Sequence, residues 1–299
     1  MLAGGTGGAK LARGMLDVVG PQRLCVIANT ADDVEVYGVH VSPDPDLVTY
    51  WLADLIDERG YGIRGDSWRV MEALEAGGER AWFRLGDRDL AMCLLRTERL
   101  RAGERQTQAQ AAVTSALGVR ARVLPMSDDP VRTLIRSAGA LRPFQEFMIL
   151  DRAAGPIDGV ELDGADRARP SPEVLAAIAA AETIVIGPSN PIISIGPILA
   201  LAGLRGALVA ARAPIVAVSP FVGGRAVKGP TDAFMAHAGL PLGAEGVARA
   251  YAGLLDGLVA EEPAHGIAVL QADTLMDSEE ARGRVAALSL ELAASLARR

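Results

Sequence analysis

The sequence predicts an α/β protein, with a Rossmann-like, doubly wound, mainly parallel sheet carrying helical and small β additions. Three observations lead there. Short β-branched or apolar runs recur along the 299 residues, Thr183 to Ile186 being the clearest, and they read as strands buried on both faces. Several end abruptly in a turn rich in glycine, proline and polar side chains. A helical pattern then follows, which is the signature of a sheet with one functional edge.

Taken in order, Met1 to Ala3 is expected to form a short first strand, and Gly4, Gly5, Thr6, Gly7 and Gly8 form a turn leading into a helix from about Ala9 to Val18. Such a turn lets backbone N–H groups approach a phosphate. It is not a Walker loop, because Leu11 follows Lys10, and the last glycine of GxGxxG is missing. Arg23 to Asn29 reads as the next strand, with Asn29, Thr30, Asp32 and Asp33 converging at its carboxyl end. In SPDPD, the spacing and the prolines predict an extended chain that points Asp44 and Asp46 the same way. A pair so placed suits a divalent cation or accepts a proton from a hydroxyl.

Leu47 to Asp57 and Ser67 to Glu75 are expected helices joined by a turn through Gly60, Gly62 and Gly65. A short strand should end at Gly86, before Asp87, Arg88, Asp89 and the helix Leu90 to Arg101. Acidic groups there suit a helix dipole, and Arg88 suits a carboxylate or phosphate. Gln106 to Leu117 adds a helix and Ala121 to Pro125 a strand, while Arg142 to Leu150 and Val160 to Leu162 read as small β additions. Pro172 to Ala181 is a helix leading into Thr183 to Ile186. Ser189 and Asn190 then stand just past the strand, where open α/β sheets bind ligands. Gly196 and Pro197 open a further helix. The strand Ile215 to Ser219 ends in the same style and is followed by Arg225 and Lys228; a last strand near Ile267 to Leu270 precedes a helix from Ser278 to Ala297. The expected organisation is one domain, 1–299, with a helical insertion at about 47–117 and a β extension at about 142–165.

Composition narrows the function. Half of the residues are hydrophobic, no apolar run approaches the roughly 20 residues of a membrane helix, and the N-terminus has no basic and apolar leader, so the expected location is the cytoplasm. A net charge of −7 argues against a nucleic-acid surface. Cys25 and Cys93 match no metal or redox spacing, and His40, His237 and His265 are scattered. Of 30 basic residues 28 are arginine, and Lys10, Lys228, Asn29 and Asn190 are the only lysines and asparagines. All four fall in punctuated turns, where an ammonium or an amide has chemistry that arginine or aspartate does not reproduce.

With those residues in view, the chain resembles the 2-phospho-L-lactate transferase family of coenzyme F420 biosynthesis over nearly its full length. The matching blocks are GGTGGAKL, ANTADD, SPDPD, LGDRD, LPMSDDPV, FQEF, IGPSNPIISIGPIL, VSPFVGGRAVKGP and QADTLM. The resemblance implies a transferase that moves a phosphorylated three-carbon acid, phospholactate or enolpyruvyl phosphate, from its guanosine diphospho-conjugate to the ribityl hydroxyl of the deazaflavin FO. GMP is released, Mg²⁺ assists, and the enzyme is a homodimer. It also implies roles. Asp44 or Asp46 would hold Mg²⁺ and orient the hydroxyl, and Asp87 and Arg88 would line the FO side. Lys10 and the Gly5 to Gly8 amides, with Thr6, would sit by the diphosphate. Ser189 and Asn190 would fix the nucleotide or acyl phosphate, and Asn29, Asp32, Asp33, Ser219 and Lys228 complete the substrate-binding set. Two departures stand out: Pro45 replaces the usual leucine of the SPDPD block, and Cys93 the histidine often found after GDRD. The same superfamily contains non-enzymatic UDP-sugar-binding regulators, which lack the combination of GDRD and GPSNP. A nicotinamide dehydrogenase is the weaker alternative, since the acidic ribose contact at the end of the second strand is missing.

Overall fold

The computed structural model describes residues 1–296. Its centre is a sheet of β1 (Leu2–Ala3), β2 (Cys25–Ala28), β3 (Arg122–Pro125), β4 (Ile184–Ile186), β5 (Ile215–Val218), β6 (Gly257–Ala260) and β7 (Ala268–Gln271). The strands lie in the order 7-6-5-4-1-2-3 and every pairing is parallel. The order reverses at β1, where Leu2 pairs with Ile27 on one side and Ile186 on the other. That is the topological switch point at which such sheets open a crevice beyond their carboxyl ends.

Successive residues of each strand feed opposite cores, as a period of two requires. Leu2, Ile27, Leu124, Ile184, Ile186, Ile215, Ala217 and Leu258 pack into one cluster, beneath the helices Pro172–Ala179, Leu204–Ala210 and Gly243–Ala250. Ala3, Val26, Ala28, Val123, Val185, Val216, Val218 and Val259 pack into the other, against the helices Gly5–Val19, Pro43–Leu52 and Glu279–Leu296. Each buried aliphatic side chain contributes about 1.5–3 kcal/mol, which is why strands so short and so apolar hold. Gly14 lets two of these helices touch: a Cβ there would lie 2.3 Å from the carbonyl oxygen of Arg282.

Two additions flank the sheet. The hairpin Val34–Val36/Val39–Val41 packs with the helices Arg69–Ala76 and Asp87–Arg101 into a separate small core. An antiparallel sheet of Arg132–Ser137, Ala140–Pro143 and Gly159–Asp163 packs through Ile135, with Phe144 and Phe147 of the following helix Phe144–Ile149, onto Ile193 and Phe234.

Several expectations need correction. The first helix begins at Gly5, because the glycines themselves form its first turn. The stretch before Gly86 is irregular, and the helix after it starts at Asp87. Residues 144–149 are helical, so the β extension starts earlier, at Arg132. The strand Gly257–Ala260 has no sequence-based counterpart; its four residues, GLVA, are too short a run to stand out. Of the expected last helix, Glu279 to Leu296 is helical and Ala297 lies outside the described residues. No single helix among the described residues is long and apolar enough to cross a membrane.

Candidate functional site

At the switch point the loop after β1 and the segment after β4 interlock, and glycine is what permits it. A Cβ on Gly7 would lie 2.0 Å from the carbonyl oxygen of Pro188, and one on Gly8 2.7 Å from Ser189 Oγ. Both contacts involve groups that cannot retreat cheaply. Gly7→Ala is therefore expected to destabilise the fold by about 1–3 kcal/mol, as overpacking does, read as a lower urea midpoint. Gly4 N–H donates to Ser189 Oγ at 3.3 Å and Gly5 N–H to Asp44 Oδ1 at 2.7 Å. Thr6 and Gly7 are the next first-turn N–H groups, too early in the helix for intrahelical acceptors, and they line the cleft.

The SPDPD segment is helical, from Pro43, with Ser42 at the N-cap position. Prolines fit a first turn because their missing N–H would be unpaired there. The expected extended pair is thus overturned: two residues apart on a helix, Asp44 and Asp46 point in different directions. Asp44 faces the cleft. Asp46 turns into the core, where the guanidinium of fully buried Arg96 grips both its oxygens, Nη1 at 3.0 Å. Arg96 Nη2 also donates to Gln110 Oε1 at 2.9 Å, and Gln110 Nε2 to Thr49 Oγ1 at 3.0 Å. Asp46 belongs to this structural network and does not line the cleft, so of the expected catalytic and metal-binding pair only Asp44 stands there.

The carboxylate that does accompany Asp44 is Asp32. Asn29 accepts from Ala31 N–H through Oδ1, which orients its amide so that Nδ2 donates to Asp32 Oδ2 at 3.1 Å and to Asp44 Oδ2 at 3.0 Å. Asp32 Oδ1 is buried without a hydrogen bond of ordinary geometry, with the likewise unpaired Thr133 hydroxyl beside it. Burial lifts the Asp44 carboxyl to about 6, against the pull of the Gly5 N–H and Asn29. Burial, then the neighbouring Asp44 charge, pushes Asp32 well above the ordinary carboxylate range. Two carboxyl groups held together at this cost need a cation or a shared proton. Asp33, by contrast, is turned away and fully engaged. Ser42 Oγ donates to it at 2.7 Å, Gln106 Nε2 at 2.6 Å, and His40 Nε2 lies 2.9 Å from Oδ2. His40 is accordingly a packing histidine, tied also to Glu35.

A cleft of about 360 Å³ opens over these groups. Gly4 to Gly7, Lys10, Asp32 and Asp44 line it, joined from across the sheet by Ser189, Asn190, Ser194, Ser219, Lys228 and Thr231. Phe144, Met148 and Ile193 supply an apolar wall. Asn190 lines the cleft while its Oδ1 accepts from Ile192 and Ile193 N–H, capping a π-helical turn, Pro191–Ile195. Ser219 Oγ accepts from Phe221 N–H at 3.2 Å. Among the described residues neither Lys10 nor Lys228 has an ion-pair partner within 4.0 Å; burial lowers both ammonium pKa values, and Arg282 and Lys228 lower that of Lys10 further. Arg282, from the C-terminal helix, stacks with Lys10 about the Trp51 ring, at 5.2 and 6.0 Å from its centroid. Uncompensated cations beside free helix N–H groups suit a polyphosphate.

Asp87 and Arg88 are not among the residues that line the cleft. Asp87 caps the helix Arg69–Ala76, accepting from Ser67 Oγ at 2.6 Å and from Arg69 and Val70 N–H at 3.2 and 3.1 Å. Asp66 returns the favour, accepting from Arg88 and Asp89 N–H. Gly86 is required by that contact, since a Cβ would sit 2.2 Å from Asp66 Oδ2. Asp89 accepts from Tyr50 OH at 2.6 Å, and burial followed by the Asp46 charge raises its carboxyl to about 7. An acid whose pKa rises on folding contributes stability at low pH that is lost as pH climbs through the folded value. Asp89→Asn should therefore gain on the order of 2 kcal/mol over the wild type at pH 8 relative to pH 5, measured by urea denaturation at both.

Sequence reasoning missed Arg96, Arg282 and Trp51. Arg96 carried one signal, a cation three residues after Cys93 on the helix side that also carries Leu90; Arg282 carried none.

A family model described as 2-phospho-L-lactate transferase CofD matches residues 1–287. A phosphoenolpyruvate transferase of Kitasatospora aureofaciens is 43% identical over 313 residues, covering 98% of this chain and 96% of that one. A 2-phospho-L-lactate transferase of Methanosarcina mazei is 39% identical over 290 residues, covering 94% and 95%. A crystal structure of a UPF0052-family protein from Bacillus halodurans superposes with a TM-score of 0.63 at 20% identity over 97% of each chain, a likeness of fold alone.

Proposed function

We propose, from the premise that this chain belongs to the 2-phospho-L-lactate transferase (CofD) family, that it transfers a phosphorylated three-carbon acid to FO in coenzyme F420 biosynthesis, in the cytoplasm and as a homodimer. The donor in this reading is a guanosine diphospho-conjugate. The ribityl hydroxyl oxygen attacks the phosphorus that bears the acid, the bond from that phosphorus to the bridging oxygen breaks, and GMP leaves. Little covalent help is needed, so positioning and charge neutralisation carry the acceleration.

The observation that supports this best is the pairing of opposite charges across one cleft. Lys10, Lys228 and the Thr6 and Gly7 N–H groups form a cationic edge for the diphosphate. Asp32 and Asp44 face it. Their hard oxygens, one of them buried without a hydrogen bond of ordinary geometry, fit Mg²⁺, which keeps most of its waters and takes one or two carboxylates. When bound, Mg²⁺ would neutralise diphosphate oxygens as charge builds on the leaving GMP. Asn29 keeps both carboxylates aimed at the cleft, where Asp44 would orient the attacking hydroxyl beside the metal. Ser189, Asn190 and Ser219 border the donor side.

The test is direct. The protein is incubated with FO, Mg²⁺ and the guanylylated conjugates of phospholactate, phosphoenolpyruvate and phosphoglycerate in parallel. Expected is an FO phosphodiester from at least one donor with one GMP per product. FO left unchanged by all three, together with tight binding of a UDP-sugar, would instead identify a binding protein.

A further inference from the structure

We propose that Tyr61 is the platform on which the aromatic ring of the alcohol acceptor stacks, an inference that rests on the transferase reading above. Tyr61 is 58% exposed, and among the described residues it is the one aromatic side chain so open to solvent. Leaving a large ring in water forfeits burial that the other aromatics obtain in full or in part. It stands at the cleft mouth. Lys228, which lines the cleft, holds its Nζ 5.7 Å from the Tyr61 centroid. A Cβ on adjacent Gly60 would meet Lys228 Nζ at 3.3 Å and Thr6 Cγ2 of the glycine loop at 3.9 Å.

The ring is also held in place. Arg59 stacks between Tyr61 and Trp68, at 5.1 and 4.9 Å, and is anchored by Asp57 through Nε at 2.6 Å. Arg64 ties the base of the loop, donating to the carbonyls of Asp54 at 3.0 Å and Ile56 at 3.3 Å, and Ile63 is buried beneath it. Arg88 Nη1 in turn donates to the Arg64 carbonyl at 3.3 Å. The reciprocal caps of Asp66 and Asp87 thus make the LGDRD segment a frame for this loop. A flat, electron-rich partner would displace Lys228 from over the ring that Arg59 keeps in place, gaining stacking area without requiring hydrogen bonds. Lys228 belongs to the cationic edge offered to the diphosphate and also reaches Tyr61, so it stands where the two substrates would meet.

The experiment is fluorescence titration of FO against the wild type, Tyr61→Ala, Tyr61→Phe and Tyr61→Trp, with GMP binding to each by calorimetry. Stacking on one ring is worth about 1–3 kcal/mol, so Tyr61→Ala should weaken FO by roughly 5- to 150-fold and raise its KM with little change in kcat. Phe and Trp should restore affinity, and GMP affinity should not move. Wild-type FO affinity in Tyr61→Ala, or loss of GMP binding along with FO, would overturn the platform while leaving the transferase reading intact. If the wild type binds no FO, the transferase reading itself fails.

Discussion

Asp44→Asn is expected to lower transfer by roughly 10³-fold at saturating Mg²⁺, with a urea midpoint close to wild type. The magnitude follows from losing the several kcal/mol that a metal and an oriented hydroxyl contribute to the transition state. The fold should survive because asparagine keeps one carbonyl oxygen for the Gly5 N–H, and because removing one of two crowded carboxylates relieves repulsion with Asp32. Turnover assayed against Mg²⁺ concentration, beside denaturation of the same preparation, checks both halves. Activity within a few-fold of wild type would remove Asp44 from the chemistry.

Asp46 should behave in the opposite way, although it is only two residues on. Arg96→Met strands a buried carboxylate and Asp46→Leu strands a buried guanidinium, and each is expected to cost about 3–5 kcal/mol of stability. The double variant Asp46→Leu/Arg96→Met should recover most of that loss, because an apolar pair of similar volume avoids burying two charges. Urea denaturation of the four proteins measures the cycle. Near-additive losses in the double variant would show that the two side chains do not act as a pair.

The contrast between these aspartates marks what was legible in the sequence. Strands buried on both faces write themselves as β-branched runs, and the glycine loop and the GPSN turn mark the carboxyl ends of β1 and β4, so the crevice and most of its rim followed from local pattern. Lys10, Asn190, Ser189, Ser219 and Lys228 all line it. The carboxylate pair did not follow, because SPDPD supports two local structures. Its prolines suit an extended chain and equally a first helical turn, and only tertiary contact selects the helix. Asp32 was grouped with Asp33, and nothing local says that Asn29 turns one toward the cleft while Ser42, Gln106 and His40 hold the other away. Asp87 and Arg88 look like ligand-binding residues for a similar reason: a helix cap and an anion site use the same groups. Arg96 reaches Asp46 across 50 residues of chain and Arg282 reaches Trp51 from the far end of the sequence, distances at which spacing carries no information.

That Asp32 and Asp44 form the metal-binding pair is tested most directly by an anomalous difference map from crystals soaked in Mn²⁺ as a stand-in for Mg²⁺. The expected result is a peak within bonding distance of both carboxylates, Asp32 Oδ1 among the ligands. The ligand atoms of Asp46, Asp89 and Cys93 lie within 4.8 Å of one another, yet Arg96 already neutralises Asp46 there. A peak at that buried cluster, with none between Asp32 and Asp44, would contradict the account.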